Sequence, residues 1–160
     1  MVRSYPTPRG MLRFLKLLTR TIKQLDDIAL TLTIGYFVWT ISRRLDRADL
    51  PTLLHHIKCS PRPQASDPYA NLERICRLRQ PWLWLPILRT HNTCYVRAMT
   101  LYRFLDSENE DLRIHFGVEP PKQPNDRVRG HAWVTVDGKV LEETEVLNRQ
   151  VREIYVYPPI

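Results

Sequence analysis

Asn92-Thr93-Cys94-Tyr95-Val96-Arg97-Ala98 is the segment around which the predicted fold is arranged. After it, apolar residues recur at the three- and four-residue spacing of a helix: Ala98, Leu101, Tyr102 and Leu105. Asn92 or Thr93 is a suitable N-cap, so Cys94 is expected in the first turn of this helix. There, unpaired backbone N–H groups and the helix dipole favour a thiolate over a thiol, which predicts a nucleophilic cysteine.

A second segment, Gly130-His131-Ala132-Trp133-Val134, supplies a candidate general base in His131. It begins a predicted strand from His131 to Val136, and Asp137-Gly138 is a strong signal for a hairpin turn. Lys139 to Leu147 is expected to return as the partner strand. Earlier strand-like alternation runs from Leu112 to Val118, and a polar loop is expected from Glu119 to Arg129.

The register of the hairpin decides which acid shares a face with His131. A three-residue loop, Val136-Asp137-Gly138, pairs His131 with Glu143. A two-residue turn at Asp137-Gly138 shifts the pairing by one and makes Glu142 a diagonal neighbour instead. The sequence leaves both registers open. Either glutamate would hold the imidazole in the tautomer that accepts a proton from the cysteine.

The chain before these segments is predicted to be helical. Residues 11 to 45 form a long helix that Gly35 bends or divides, with an apolar stripe made of Leu15, Leu18, Ile22, Leu25, Ile28 and Leu32. The uncharged run from Ile28 to Ile41 is shorter than the roughly 20 residues that a membrane-spanning helix needs, which favours a buried helix.

Two shorter helices are expected to follow. One starts at Asp49-Leu50-Pro51 and continues to Lys58, and the other runs from Asp67-Pro68 until Pro81 stops it. Cys76 lies on the apolar face of the second helix, which indicates a buried structural thiol. A last strand is expected at Ile154 to Tyr157.

Composition limits the function classes. Three cysteines without a CxxC pair argue against a disulfide framework and favour the reducing cytoplasm. The net charge of +7 suits an acidic peptide or an anionic lipid surface, whereas basic residues accompany the aromatic tract at 82–88 too sparsely to predict nucleic-acid binding. No metal site or cofactor is predicted, because the spacing of Cys59, His55 and His56 matches no ligand signature.

The fold class predicted from these elements is α+β, with N-terminal helices packed on a small antiparallel sheet and the cysteine at a helix N-terminus. The Pro- and Ser-rich connection at 60–66 is the best place to divide the chain into two regions. It separates a helical region at 1–66, which binds substrate or a partner, from a catalytic core at 67–160.

These motifs together resemble the transglutaminase-like cysteine peptidases of lasso peptide biosynthesis. The resemblance covers residues 90 to 147 and depends on the Cys94 to Ala98 helix start, the Ile114 to Val118 strand and the run from His131 to Gly138. It implies a leader peptidase that cleaves the amide between the leader and core of a ribosomally made precursor. Macrolactam closure then belongs to a separate ATP-using cyclase.

The resemblance also implies the remaining site residues and partners. It places an aspartate on the strand after the histidine, and the corresponding position holds Glu143. The oxyanion hole is expected to use the Cys94 N–H and Asn92. A precursor peptide, a small leader-recognition protein and the lasso cyclase are the implied partners, in the cytoplasm, with membrane-surface association through the basic N-terminal helix also compatible. The alternatives are a transglutaminase-like acyl transferase and a non-catalytic, basic, partner-binding scaffold.

Overall fold

A computed structural model describes residues 8–23, 25–45, 49–59, 68–85, 93–105, 111–121, 128–142 and 151–159. In these residues the helices come first and an antiparallel sheet follows, which confirms the predicted α+β class. The helices are α1 (Pro8–Thr21), α2 (Leu25–Arg44), α3 (Leu50–Cys59), α4 (Pro68–Trp84) and α5 (Cys94–Phe104). The strands are β1 (Leu112–Glu119), β2 (Arg129–Val136), β3 (Lys139–Leu141) and β4 (Arg152–Tyr157).

The strand order of the sheet is β3-β2-β1-β4, so β1 and β2 are its inner strands. Alternate residues of these strands belong to the same apolar core as α5. They are Ile114 and Phe116 of β1 and Ala132 and Val134 of β2, and α5 contributes Val96 and Met99. The helix that begins at Cys94 is therefore held against the centre of the sheet.

The turn between β2 and β3 has the two-residue register. Asp137 and Gly138 have φ values of 49° and 75°, as a tight hairpin turn requires, and Val136 pairs directly with Lys139. Asp137 also bonds to the backbone of Asp111 in both directions, each at 3.2 Å. The turn role of Asp137 is thus confirmed. The described part of β3 ends at Leu141, and the rest of the predicted return strand, from 143 onwards, lies outside the described residues.

The predicted long helix at 11–45 is divided between Thr21 and Leu25, and Gly35 lies inside α2. In the first turn of α2, the Asp27 carboxylate accepts a hydrogen bond from the Lys23 N–H at 2.8 Å. A side-chain acceptor at that place satisfies a backbone donor that a continuing helix would have used internally. The helix is continuous through Gly35, so the prediction that Gly35 divides it was wrong.

The buried face of α2 also differs from the predicted stripe. Leu25 is 85% exposed and Leu32 is 58% exposed. The buried positions are Asp27, Thr31, Ile34, Gly35, Val38, Ile41 and Ser42. Arg74 and Arg77 of α4 pair with the Asp27 carboxylate at 2.8 and 3.5 Å, which keeps this side of α2 inward. No helix among the described residues combines the length and apolar character needed to cross a membrane.

The shorter elements follow the predictions more closely. Asp49 accepts a hydrogen bond from the Thr52 N–H at 3.0 Å, so the predicted start of α3 is confirmed, and the bonds from Thr52 lower the pKa of Asp49. Pro81 does not stop α4, which continues to Trp84 with Pro81 inside it. The strand expected at Ile154 to Tyr157 is confirmed as part of β4. The 60–66 connection lies outside the described residues, and the division at 66 stays a prediction.

Candidate active site

Cys94 is the first residue of α5, as the sequence predicts. Thr93 is the N-cap, with extended φ and ψ of −104° and 160°, and its hydroxyl accepts a hydrogen bond from the Val96 N–H at 3.4 Å. Asn92, the other proposed cap and oxyanion donor, lies outside the described residues. Unpaired backbone N–H groups in the first turn of a helix favour negative charge on a sulfur placed there.

The sulfur of Cys94 lies beside the start of β2. The thiol donates to the carbonyl oxygen of Gly130 at 3.6 Å, one residue before His131. Tyr95 explains why this residue is glycine, because a Cβ on Gly130 would lie 2.2 Å from the Tyr95 hydroxyl oxygen. The Tyr95 ring packs on Phe116 with ring centroids 5.6 Å apart. The two segments singled out in the sequence therefore meet at the contact of Cys94 and Tyr95 with Gly130.

Tyr95 stays protonated at this contact. Burial, and then the charge of a neighbouring Cys94 thiolate, raise the pKa of the Tyr95 hydroxyl. A neutral phenol at this contact adds no competing negative charge.

His131 has a carboxylate neighbour that the sequence analysis missed. Its Nε2 lies 3.5 Å from Oε2 of Glu119, and the two side chains are only 13% and 16% exposed. Glu119 was predicted to lie in a loop, but β1 extends to this residue and pairs it with Arg129. The alternation of β1 runs one residue beyond the predicted end, which was the available signal in the sequence.

The structure describes only one of the two glutamates that the hairpin registers offered as the acid beside His131. Glu143 lies outside the described residues. The two-residue turn that would make Glu142 a diagonal neighbour of His131 is present, but the Glu142 carboxylate accepts a hydrogen bond from Arg79 of α4. A φ of 63° at Glu142 interrupts the strand alternation directly after Leu141 and accounts for the altered direction of the side chain.

Arg79 connects this acid to the cysteine helix. Its side chain is fully buried, and Nη1 donates to the carbonyl oxygen of Arg97, in the first turn of α5, at 2.9 Å. The same guanidinium binds Glu142, so α4, α5 and the end of β3 are joined through one side chain. Cys76 lies beside this group, and burial raises the pKa of its thiol to about 12. Cys76 is therefore a protonated, structural cysteine, as predicted from its apolar stripe.

A second histidine and glutamate lie farther along the same face of the sheet. His115 Nδ1 is 2.5 Å from Oε2 of Glu153, and its Nε2 is 2.8 Å from the Thr135 hydroxyl. The ring stacks on Trp133 at an interplanar angle of 7°. Within the described part of the chain, no three His, Cys, Asp or Glu side chains are grouped to hold a metal ion.

Comparison with known proteins identifies the family. A protein-family model described as the transglutaminase-like superfamily matches residues 29–156, which extend from α2 into β4. Comparisons with curated proteins and with solved structures found no match. The matched region contains Cys94, Gly130, His131 and Glu119, and it covers well over half of the chain. The chain therefore belongs to the transglutaminase-like superfamily.

Proposed function

We propose that the chain is a cysteine peptidase that removes the leader from a ribosomally synthesised lasso peptide precursor before a separate cyclase closes the macrolactam. The observation that carries the cysteine chemistry is the 3.6 Å contact between the Cys94 sulfur, at a helix N-terminus, and the carbonyl of Gly130 beside His131. Superfamily membership supports an acyl-enzyme reaction. The lasso substrate class is supported by the resemblance of the Cys94 to Ala98 and His131 to Gly138 motifs.

In the proposed mechanism, His131 takes the thiol proton of Cys94 and the sulfur attacks the carbonyl carbon of the leader–core amide. The backbone N–H of Cys94, together with Asn92, stabilises the oxyanion of the tetrahedral intermediate. The imidazolium then returns its proton to the leaving amine, which frees the core peptide and leaves the leader as a thioester. Water, activated by the same imidazole, hydrolyses the thioester and restores the thiol. The two-residue turn favours Glu142, but its carboxylate accepts from Arg79, so Glu143, the position that the resemblance assigns to the acid, is the residue proposed to orient the ring.

The partners are part of the proposal. A net charge of +7 supports binding of acidic peptide segments, which fits a precursor presented by a small leader-recognition protein. The lasso cyclase would receive the released core in the cytoplasm.

The first test is cleavage of a precursor by the full chain together with the leader-recognition protein, followed by mass spectrometry. Cys94→Ala and His131→Ala are expected to abolish leader loss, while Cys76→Ala retains it because the Cys76 thiol is protonated and lies against Glu142 and Arg79. Circular dichroism of each variant controls for folding. Leader loss that persists in folded Cys94→Ala would reject the peptidase.

An acyl transferase is the second candidate, and superfamily membership favours it. It would use the same thioester but pass the acyl group to an amine instead of water. Mass spectrometry separates the two reactions, because transfer retains the acyl group in a larger product and hydrolysis gives two shorter peptides. A non-catalytic scaffold predicts instead that iodoacetamide labels Cys94 near neutral pH no faster than an ordinary thiol.

A further inference from the structure

The ladder between β1 and β2 places a glycine opposite His131. Its direct partner is Gly117, which has no side chain. A Cβ there would lie 2.6 Å from Cγ1 of Val151 and 2.9 Å from the carbonyl oxygen of Arg152, so the packing of β4 requires glycine. The imidazole consequently has no side chain directly across the ladder. The diagonal neighbour on β1, two residues further along, is Glu119.

The contact between His131 and Glu119 is largely shielded from solvent, which strengthens the electrostatic interaction between the two side chains. Both side chains are more than four-fifths buried, so solvent screens the carboxylate poorly from the ring. The separation of 3.5 Å between Nε2 and Oε2 is longer than a strong hydrogen bond. Contacts of catalytic groups are often long without substrate and shorten when charge develops. The Glu119 carboxylate lies where it would attract the imidazolium formed when Cys94 loses its proton.

The contact also selects a tautomer. A carboxylate accepts hydrogen bonds and cannot donate them, so a ring beside Glu119 is favoured with its proton on Nε2. The lone pair then remains on Nδ1, which becomes the nitrogen that accepts the thiol proton.

We propose that Glu119 is a positioning residue that holds His131 in the Nε2–H tautomer from the neighbouring strand, in addition to the acid on the return strand. This role rests on the proposed function, because Glu119 affects catalysis only if His131 is the base that activates Cys94. The contact itself is independent of substrate, and a measurement on the resting protein reports on it directly.

The test measures the ¹⁵N resonances of the His131 ring in the full chain, together with cleavage. In the wild type the spectrum is expected to show the Nε2–H tautomer at neutral pH, and Glu119→Gln is expected to give a mixture of tautomers. The same variant should lower kcat by about 10- to 100-fold with little change in KM. Glu119→Asp should restore part of both. Glu153→Gln, which removes the carboxylate beside His115, is the matched control and should change neither readout.

An unchanged His131 spectrum in folded Glu119→Gln would overturn the inference, as would a tautomer that responds to Glu143→Gln alone. Failure of the proposed function looks different. In that case Cys94→Ala retains cleavage or the wild type cleaves no precursor, while the ring spectrum still shows whether Glu119 holds His131.

Discussion

The same face of the sheet carries two histidine–glutamate pairs that differ in their surroundings. His115 uses both ring nitrogens, at 2.5 Å to Glu153 and 2.8 Å to Thr135, and its ring is stacked on an indole. His131 meets Glu119 at 3.5 Å and directly follows the glycine that contacts the Cys94 thiol. A buried pair of these residue types is therefore not by itself a site. One of them is a candidate because His131 directly follows Gly130, whose carbonyl oxygen accepts from the Cys94 thiol.

We expect the strongest change in activity from removing His131, with removal of His115 as the comparison. His131→Gln should lower kcat/KM for precursor cleavage by about 10²- to 10⁴-fold, the usual contribution of a general base. His115→Gln should leave it within about threefold but lower the free energy of unfolding by about 1 kcal/mol, because hydrogen bonds are lost. Initial rates and urea denaturation measure the two quantities. Equal losses of activity would remove the distinction between the pairs.

A smaller effect is expected from moving the Cys94 thiol relative to His131 and Glu119. Gly130→Ala would place a Cβ 2.2 Å from the Tyr95 hydroxyl oxygen, so the start of α5 must shift. Alkylation of Cys94 by iodoacetamide should slow by about tenfold. Adding Tyr95→Phe should restore much of the rate, because the nearest remaining ring atoms are 3.1 and 3.2 Å away. A double-mutant cycle tests the coupling, and strictly additive effects would contradict it.

The smallest effect concerns the cap that sets the start of α5. Thr93→Ala removes the acceptor for the Val96 N–H and should lower the free energy of unfolding by about 1 kcal/mol. Cys94 should react only a few-fold more slowly, because the remaining backbone donors are unchanged. Thr93→Ser retains the hydroxyl and should behave like the wild type in thermal denaturation and alkylation. A Thr93→Ala chain as stable as the wild type would show that the 3.4 Å bond contributes nothing.

Features that depend on a few neighbouring residues were predictable from the sequence. The helix start at Cys94 needs only a cap and an apolar stripe after it, and the Asp137-Gly138 turn needs only two residues that accept positive φ. The family resemblance of the two motifs implied that the Cys94 sulfur and the start of β2 meet, and they do at Gly130.

Features that depend on distant partners were not predictable in this way. The inward face of α2 follows Asp27, whose partner Arg74 is 47 residues away, and periodicity alone pointed to the leucine stripe. Glu142 was expected near the histidine from strand alternation, yet a buried arginine on α4 takes its carboxylate. Glu119 was missed because the extent of a strand depends on what pairs with it, and Arg129 supplies that pairing.

The strand order gives the two pairs unequal protection against partial opening. Glu119 and His131 lie on β1 and β2, the inner strands, whereas Glu153 lies on β4 at the edge and reaches His115 across 38 residues of sequence. Edge strands separate from a sheet at lower free energy than its centre, because fewer ladders must break. Fraying of β4 therefore takes the carboxylate from His115 while Glu119 still faces His131. The contact proposed to matter for chemistry belongs to the part of the sheet that opens last.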